Sequence, residues 1–205
     1  FMLLFGVNFN LYYFLLVRKF RDVFRSEELR TYLIIVAVAV SAITLDILHI
    51  YRSVGTSLRH AFFQVSSIIT TTGYATVDFD QWPSLSRYVM LFLMMIGACA
   101  GSTGGGFKVS RILILCKTVR KELHIFLHPN AVKKIKMDGK AIPHEVVRST
   151  NIFFIVYVLI FASSVFLIAF DDFDLITNFT AVAATFNNIG PGLELAGPTG
   201  NFGMF

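Results

Sequence analysis

The hydrophobic residues of this chain fall in blocks and do not alternate with polar ones. A helix crossing the ~30 Å apolar core of a bilayer needs about 20 mainly apolar residues. Residues 31–51 and 151–170 each make such a block, and the second carries no charge. Residues 1–17 predict the last part of another helix, interrupted by Asn8 and Asn10. Two further apolar segments are too short to cross: residues 58–71, after a polar turn at 52–59 around Gly55, and residues 175–186. Residues 85–100 predict a helix that breaks at the run GSTGGG (101–106), resumes at Phe107 and continues amphipathically to Leu127. Before it, Pro83 suits a helix N-terminus and Trp82 an interfacial anchor.

Composition turns these blocks into a class. Of 205 residues, 55% are hydrophobic, 22 are Phe and only 15% are charged, whereas a soluble domain carries about 25% charge. The pattern predicts an all-α integral membrane protein embedded in a lipid bilayer. Its basic residues cluster: Arg18, Lys19, Arg21, Arg25 and Arg30, then Lys117, Arg120, Lys121, Lys133, Lys134, Lys136, Lys140 and Arg148. Acidic residues gather elsewhere, at Asp78, Asp80, Asp171, Asp172, Asp174 and Glu194. Basic clusters beside spans mark the cytoplasmic side, so this charge is a topology signal and not a nucleic-acid surface.

Both basic clusters being cytoplasmic, an even number of crossings separates them. The span at 31–51 leads out, placing Asp46 and His49 near the outer end, and the helix after residue 83 leads back. The segment 58–71 therefore cannot cross; it dips in and returns. Non-helical backbone at membrane depth survives only where protein buries it or water lines it, so a re-entrant loop ending on glycine points to a permeation path. The element recurs. Thr31 to Gly73 spans 42 residues and Thr150 to Gly190 spans 40, each with an outward span followed by a short helix. The organisation that results is the end of a preceding transmembrane helix with a cytoplasmic loop (1–30), a complete membrane–pore–membrane repeat (31–128), a cytoplasmic loop (129–148) and a second, truncated repeat (149–205). Both ends lie in or beside apolar sequence, as expected for part of a longer chain.

A cation entering such a path must exchange water for oxygen ligands, which backbone carbonyls supply without fixed charge. Glycine lets the backbone turn its carbonyls toward an axis, and the C-terminal end of the preceding helix is electronegative. The candidate ion-binding residues are Thr71, Thr72, Gly73 and Tyr74 in the first repeat, with Asn188, Ile189, Gly190 and Pro191 in the second. The ion is placed at Thr72, Gly73, Ile189 and Gly190. The acidic residues outside could raise the cation concentration at the mouth. Other chemistries fit poorly. A phosphate-binding loop needs Lys directly after its last glycine and a strand before it, but Phe107 intervenes and apolar helix precedes. His124 and His128 stand one helical turn apart without a third ligand. Cys99 and Cys116 read as small buried hydrophobes, and no catalytic triad or carboxylate pair stands out.

Four runs, TTTGYATVDFDQWP, GACAGSTGGGFKVSRI, HPNAVKKIKMDGKAIP and TFNNIGPGL, together with GVNFNLYY near the start, resemble the Trk/Ktr/HKT superfamily of potassium transporters, and most closely its bacterial TrkH-type potassium uptake subunits. The resemblance implies a potassium-channel-like pore domain of four helix–pore loop–helix repeats, with one filter glycine in each. The chain would hold the end of the second repeat, the whole third, and the fourth without its last helix. Gly73 and Gly190 match the filter glycine, and Ala75 stands where a strict potassium channel has a second one. The resemblance also implies that Gly101, Ser102, Thr103, Gly104, Gly105 and Gly106 form an intramembrane gating loop beneath the filter, with Lys108 beside the path. Mid-helix glycines cost about 1 kcal/mol each relative to alanine, which a merely packing helix would not carry. It further implies a multi-pass protein of the bacterial inner membrane that takes up potassium as substrate, binds no covalent cofactor and is not an enzyme. A homodimer and a cytosolic nucleotide-binding ring of the TrkA type are the implied partners. Alternatives are a sodium-permeable or sodium- or proton-coupled member, a secondary transporter with broken helices at a midplane site, and a sensor whose loops only pack.

Overall fold

The computed structural model describes residues 1–129 and 134–200. Lys133 and residues 201–205 of the last segment lie outside the described residues. The chain opens with two short helices, α1 (Met2–Phe5) and α2 (Phe9–Leu16), separated at the asparagine noted above. Asn8 causes the restart, because its side-chain oxygen accepts the Asn10 N–H at 2.9 Å and caps α2. After α3 (Phe20–Arg25), the first full span, α4, covers Glu27–Asp46. Ser26 caps it, and Glu27 and Glu28 in its first turn suit the positive end of the helix dipole.

The buried residues of α4, Tyr32, Val36, Ala39, Val40 and Ile43, recur at helical spacing and form one stripe. They meet α6 (Val54–Ile69), which returns from the far end after the short α5 (Leu48–Tyr51). Ala61, Val65, Ile68 and Ile69 fill the contact, and Met90, Leu93 and Met94 of α7 (Ser84–Met95) close the same core. The start of α7 has Pro83 as its cap, which has no side chain to satisfy the first N–H groups. Asp46, the last residue of α4, supplies the missing acceptor: its Oδ2 takes the Ser86 N–H at 3.0 Å and the Ser86 hydroxyl at 2.6 Å.

After a break, α8 (Val109–Leu127) leads to a two-stranded antiparallel hairpin, β1 (Lys136–Met137) and β2 (Lys140–Ala141). The second span, α9, covers His144–Ile168 and is followed by the second short helix, α10 (Leu175–Phe186). Only Thr150, Tyr157 and Phe161 of α9 are buried. Its other faces expose Ile152, Ile155, Leu159 and Phe166, as expected of a helix that is apolar all round.

Several boundaries differ from those read from the sequence, each for a local reason. The polar turn is confined to Arg52 and Ser53, because Arg52 adopts a left-handed conformation (φ 51°) and α6 starts at Val54. Residues 54–59 are its first turns. The loop expected over 129–148 contains the hairpin and the beginning of α9, which starts after Pro143. Residues 96–100 are not helical, since Ile96 turns extended and pairs in a parallel bridge with Phe107. Trp82 is no exposed anchor: it is 4% exposed and its indole N–H meets the Tyr51 hydroxyl at 3.4 Å. Cys99 is buried as expected, but Cys116 is exposed.

The cap donated by α4 to α7 is testable. Asp46→Ala is expected to lower stability by about 1–2 kcal/mol, the range for losing a helix cap. Thermal unfolding in detergent checks it, and an unchanged midpoint contradicts the assignment.

Candidate functional site

The two short helices end identically although their residues differ. At the end of α6, the Thr71 N–H bonds to the Ile68 carbonyl at 3.0 Å and the Thr72 N–H to the Ser67 carbonyl at 2.8 Å. At the end of α10, Asn188 bonds to Thr185 at 3.1 Å and Ile189 to Ala184 at 2.8 Å. This is the Schellman termination, which needs a left-handed residue just past the helix. Thr71 (φ 53°) and Asn188 (φ 57°) fill that position. Two residues later Gly73 (φ 80°) and Gly190 (φ 112°) reverse the backbone again.

The two loops then touch through their backbones. A Cβ on Gly73 would lie 2.1 Å from the Ile189 carbonyl oxygen, so nothing larger than glycine fits there. Each outgoing segment is pinned to its own short helix. The Gln64 side-chain amide donates to the Val77 carbonyl at 2.9 Å, and the Leu193 N–H donates to the Thr180 hydroxyl at 3.0 Å. A cavity of about 320 Å³ opens above, lined by Gly73, Tyr74, Ala75, Gly190 and Pro191, with Gly197 and Pro198. Tyr74 is 72% exposed and faces out from the loop contact.

The glycine-rich break lies under these helix ends. Gly104 sits against the Thr70 carbonyl, and a Cβ on Gly105 would be 2.5 Å from the Asn187 carbonyl oxygen. The Gly105 N–H donates to the Thr71 hydroxyl at 2.7 Å. The two stems of the break are tied together, Gly97 N–H to Phe107 carbonyl at 2.9 Å and Val109 N–H to Ala98 carbonyl at 3.2 Å. Lys108 turns its amine onto the Gly104 carbonyl and is half-buried. The other half of the run points elsewhere. Ser102 bonds to the Cys99 carbonyl at 2.6 Å, Thr103 reaches the Phe5 carbonyl at 3.4 Å, and the Gly101 carbonyl accepts from Phe9 at 3.2 Å. Gly101 and Thr103 therefore contact the α1–α2 region, and 104–106 the ends of the short helices.

Asn187 belongs to the filter-like run in sequence, yet its side chain points away from Gly190. Its Oδ1 accepts the Tyr157 hydroxyl at 2.8 Å, and its amide donates to the Ala183 carbonyl at 2.9 Å. Tyr157 in turn stands beside Phe107 at 5.6 Å between ring centres. No motif marks Tyr157, because an aromatic in an apolar span carries no signal of its partner. Four of the six acidic residues outside are engaged. Arg87 bridges Asp80 at 3.1 Å and Glu194 at 2.5 Å, joining the outgoing segments of the two repeats. Asp78 accepts from Asp80 N–H and Gln81, and Asp174 caps α10. The His124 and His128 rings lie 5.1 Å apart between centres and tilted by 53°, and the described residues contain no group of three or more metal-capable side chains.

Two copies of a span followed by a short helix, with the same helix ending and the same glycine turn, define a repeated, mainly helical architecture. The TrkH family model, described as a cation transport protein, matches residues 1–199, and the chain belongs to that family. It is 39% identical over 196 residues to the Trk system potassium uptake protein TrkH of Salmonella typhimurium, covering 94% of this chain and 41% of that protein. The TrkH protein of Escherichia coli is 38% identical over the same shares. The crystal structure of the potassium transporter TrkH from Vibrio parahaemolyticus superposes with a TM-score of 0.85 at 34% identity, covering 98% of this chain and 46% of that one. The chain thus spans less than half the length of the relatives it matches.

Tyr157→Phe leaves the Asn187 side-chain oxygen without its hydroxyl partner. A loss of about 1–3 kcal/mol in stability is expected, the cost of an unsatisfied buried acceptor. Denaturant unfolding of the full-length protein measures it.

Proposed function

We propose that the full-length protein takes up potassium across the bacterial inner membrane, and that this chain supplies two of the loops around its pore. The observation that carries the reading is the meeting of Gly73 and Ile189 backbone at the ends of two short helices with matched left-handed turns. Carbonyls of Thr72, Gly73, Ile189 and Gly190 replace the ion's hydration shell, with Thr71, Tyr74, Asn188 and Pro191 holding the loops. The electronegative ends of α6 and α10 favour a cation there. Sequence likeness to proteins named for potassium uptake supports potassium as the substrate.

Gly101, Ser102, Thr103, Gly104, Gly105 and Gly106, with Lys108, form the gate in this reading. The contact of Gly104 and Gly105 with the Thr70 and Asn187 carbonyls supports it, since an ion leaving the filter meets this backbone. The protein acts as a transporter and not as an enzyme. It works as a homodimer, and the basic segment 117–148 suits a cytosolic nucleotide-binding ring of the TrkA type. A second reading, a sodium-permeable or ion-coupled member, is favoured by Ala75, which leaves this filter loop with one glycine.

In the full-length protein, Gly73→Ser places a side chain against the Ile189 carbonyl. Preference for potassium over sodium is expected to fall about tenfold or more, equivalent to about 1.4 kcal/mol. Competitive rubidium uptake reads this, and unchanged discrimination removes Gly73 from the filter. Deleting part of 104–106 is expected to raise basal rubidium flux and weaken its regulation. Wild-type flux with wild-type regulation in a correctly inserted deletion protein removes the gate.

A further inference from the structure

Glu28 lies at the start of α4, remote in sequence from the glycine-rich break, yet it is only 6% exposed. A buried carboxylate costs free energy unless its oxygens are well bonded. One oxygen, Oε1, accepts two backbone N–H groups that flank the break on opposite sides. Ala100 N–H, just before Gly101, donates at 2.6 Å, and Ser110 N–H, in the first turn of α8, donates at 3.2 Å. The side chains of Ser110 and Asn8 also approach the carboxylate. Lys108, the residue before α8, gives no side-chain cap, so Glu28 is the acceptor that α8 lacks locally. Its charge also faces the positive end of the α8 dipole.

From this convergence we infer that Glu28 is a positioning residue of the gate: a latch that closes the break by holding Ala100 and Ser110 to one oxygen. The inference rests on the reading of 101–106 as the gate. A rearranging loop must change the relation between residue 100 and the start of α8, and a single shared acceptor resists that change. Asn8 extends the latch to the α1–α2 break, where its side-chain oxygen would lie 3.1 Å from a Cβ on Gly101. Glu28 touches neither filter loop, so it acts on how often the gate is open and not on which ion passes.

The test is basal rubidium flux of the full-length protein reconstituted in lipid vesicles, at matched protein content. Four variants are compared with wild type: E28A, E28Q, a protein shortened within 104–106, and E28A in that shortened protein. E28A removes the acceptor, and flux is expected to rise about tenfold, the factor that a shift of about 1.4 kcal/mol in a two-state equilibrium produces. E28Q keeps an accepting oxygen without the charge, so its flux is expected to fall between wild type and E28A. Potassium over sodium preference is expected to stay at the wild-type value in both, which general loosening of the fold would not preserve. E28A combined with the shortened loop is expected to add nothing to the shortened loop alone. Raised flux in the shortened protein with wild-type flux in E28A overturns the latch and leaves the gate standing. Wild-type flux in both overturns the two together. If E28A does not insert, E28Q carries the test, and wild-type flux in E28Q overturns the latch.

Discussion

Backbone polar groups inside a bilayer have no water to turn to, so a chain that interrupts its helices there must pair the freed groups within the protein. This chain interrupts its helices in several places, and the interruptions satisfy one another. The Cys99 N–H, in the stem of the glycine-rich break, bonds to the carbonyl of Gly6 at 3.0 Å, while Phe9 N–H returns a bond to Gly101 at 3.2 Å. Gly105 N–H finds the Thr71 hydroxyl at the end of α6. Breaks that would each be costly alone are grouped where each supplies the partner another lacks. The packing stripe of α4 on α6 and α7 brings them to one place.

The two short helices show how a repeated backbone outlives its sequence. TTTG and NNIG share only the glycine, yet both run through the same pair of helix-ending bonds and the same left-handed residue. Asparagine tolerates that conformation readily, whereas a β-branched threonine does not. Thr71 has a compensation: held at φ 53°, its hydroxyl accepts the Gly105 N–H. The less comfortable residue stands where its side chain meets the break, and the comfortable Asn188 where its side chain makes no hydrogen bond among the described residues.

Spans, short helices, breaks and the pairing of Gly73 with Gly190 were legible because each leaves a local mark in block length, charge placement or a glycine at fixed offset. The turn at Arg52 is shorter than the sequence suggests, since Gly55, Thr56, Ser57 and Arg59 look like loop while lying in the first turns of a helix. Trp82 looked interfacial by type, and only the fold reveals that Tyr51 and Phe79 enclose it. The carboxylates were missed for a more general reason. Asp46 and Glu28 cap helices 40 and 82 positions away, and no window along the chain contains both partners. Asn8 was legible as an interruption, but not as a neighbour of Gly101. Local chemistry predicts what a residue can do, and packing decides for which segment it does it.

Glu28 and Asp46 stand 18 residues apart on one continuous helix, about 27 Å along its axis. One faces the start of α8 and the other the start of α7. The two halves of the broken helix are thus suspended from opposite ends of the same strut, and the segment between them is slack whose length the strut sets. A tilt of α4 would be felt at both suspension points at once. The neighbouring span, and not the loop alone, then sets how far apart the two halves can sit.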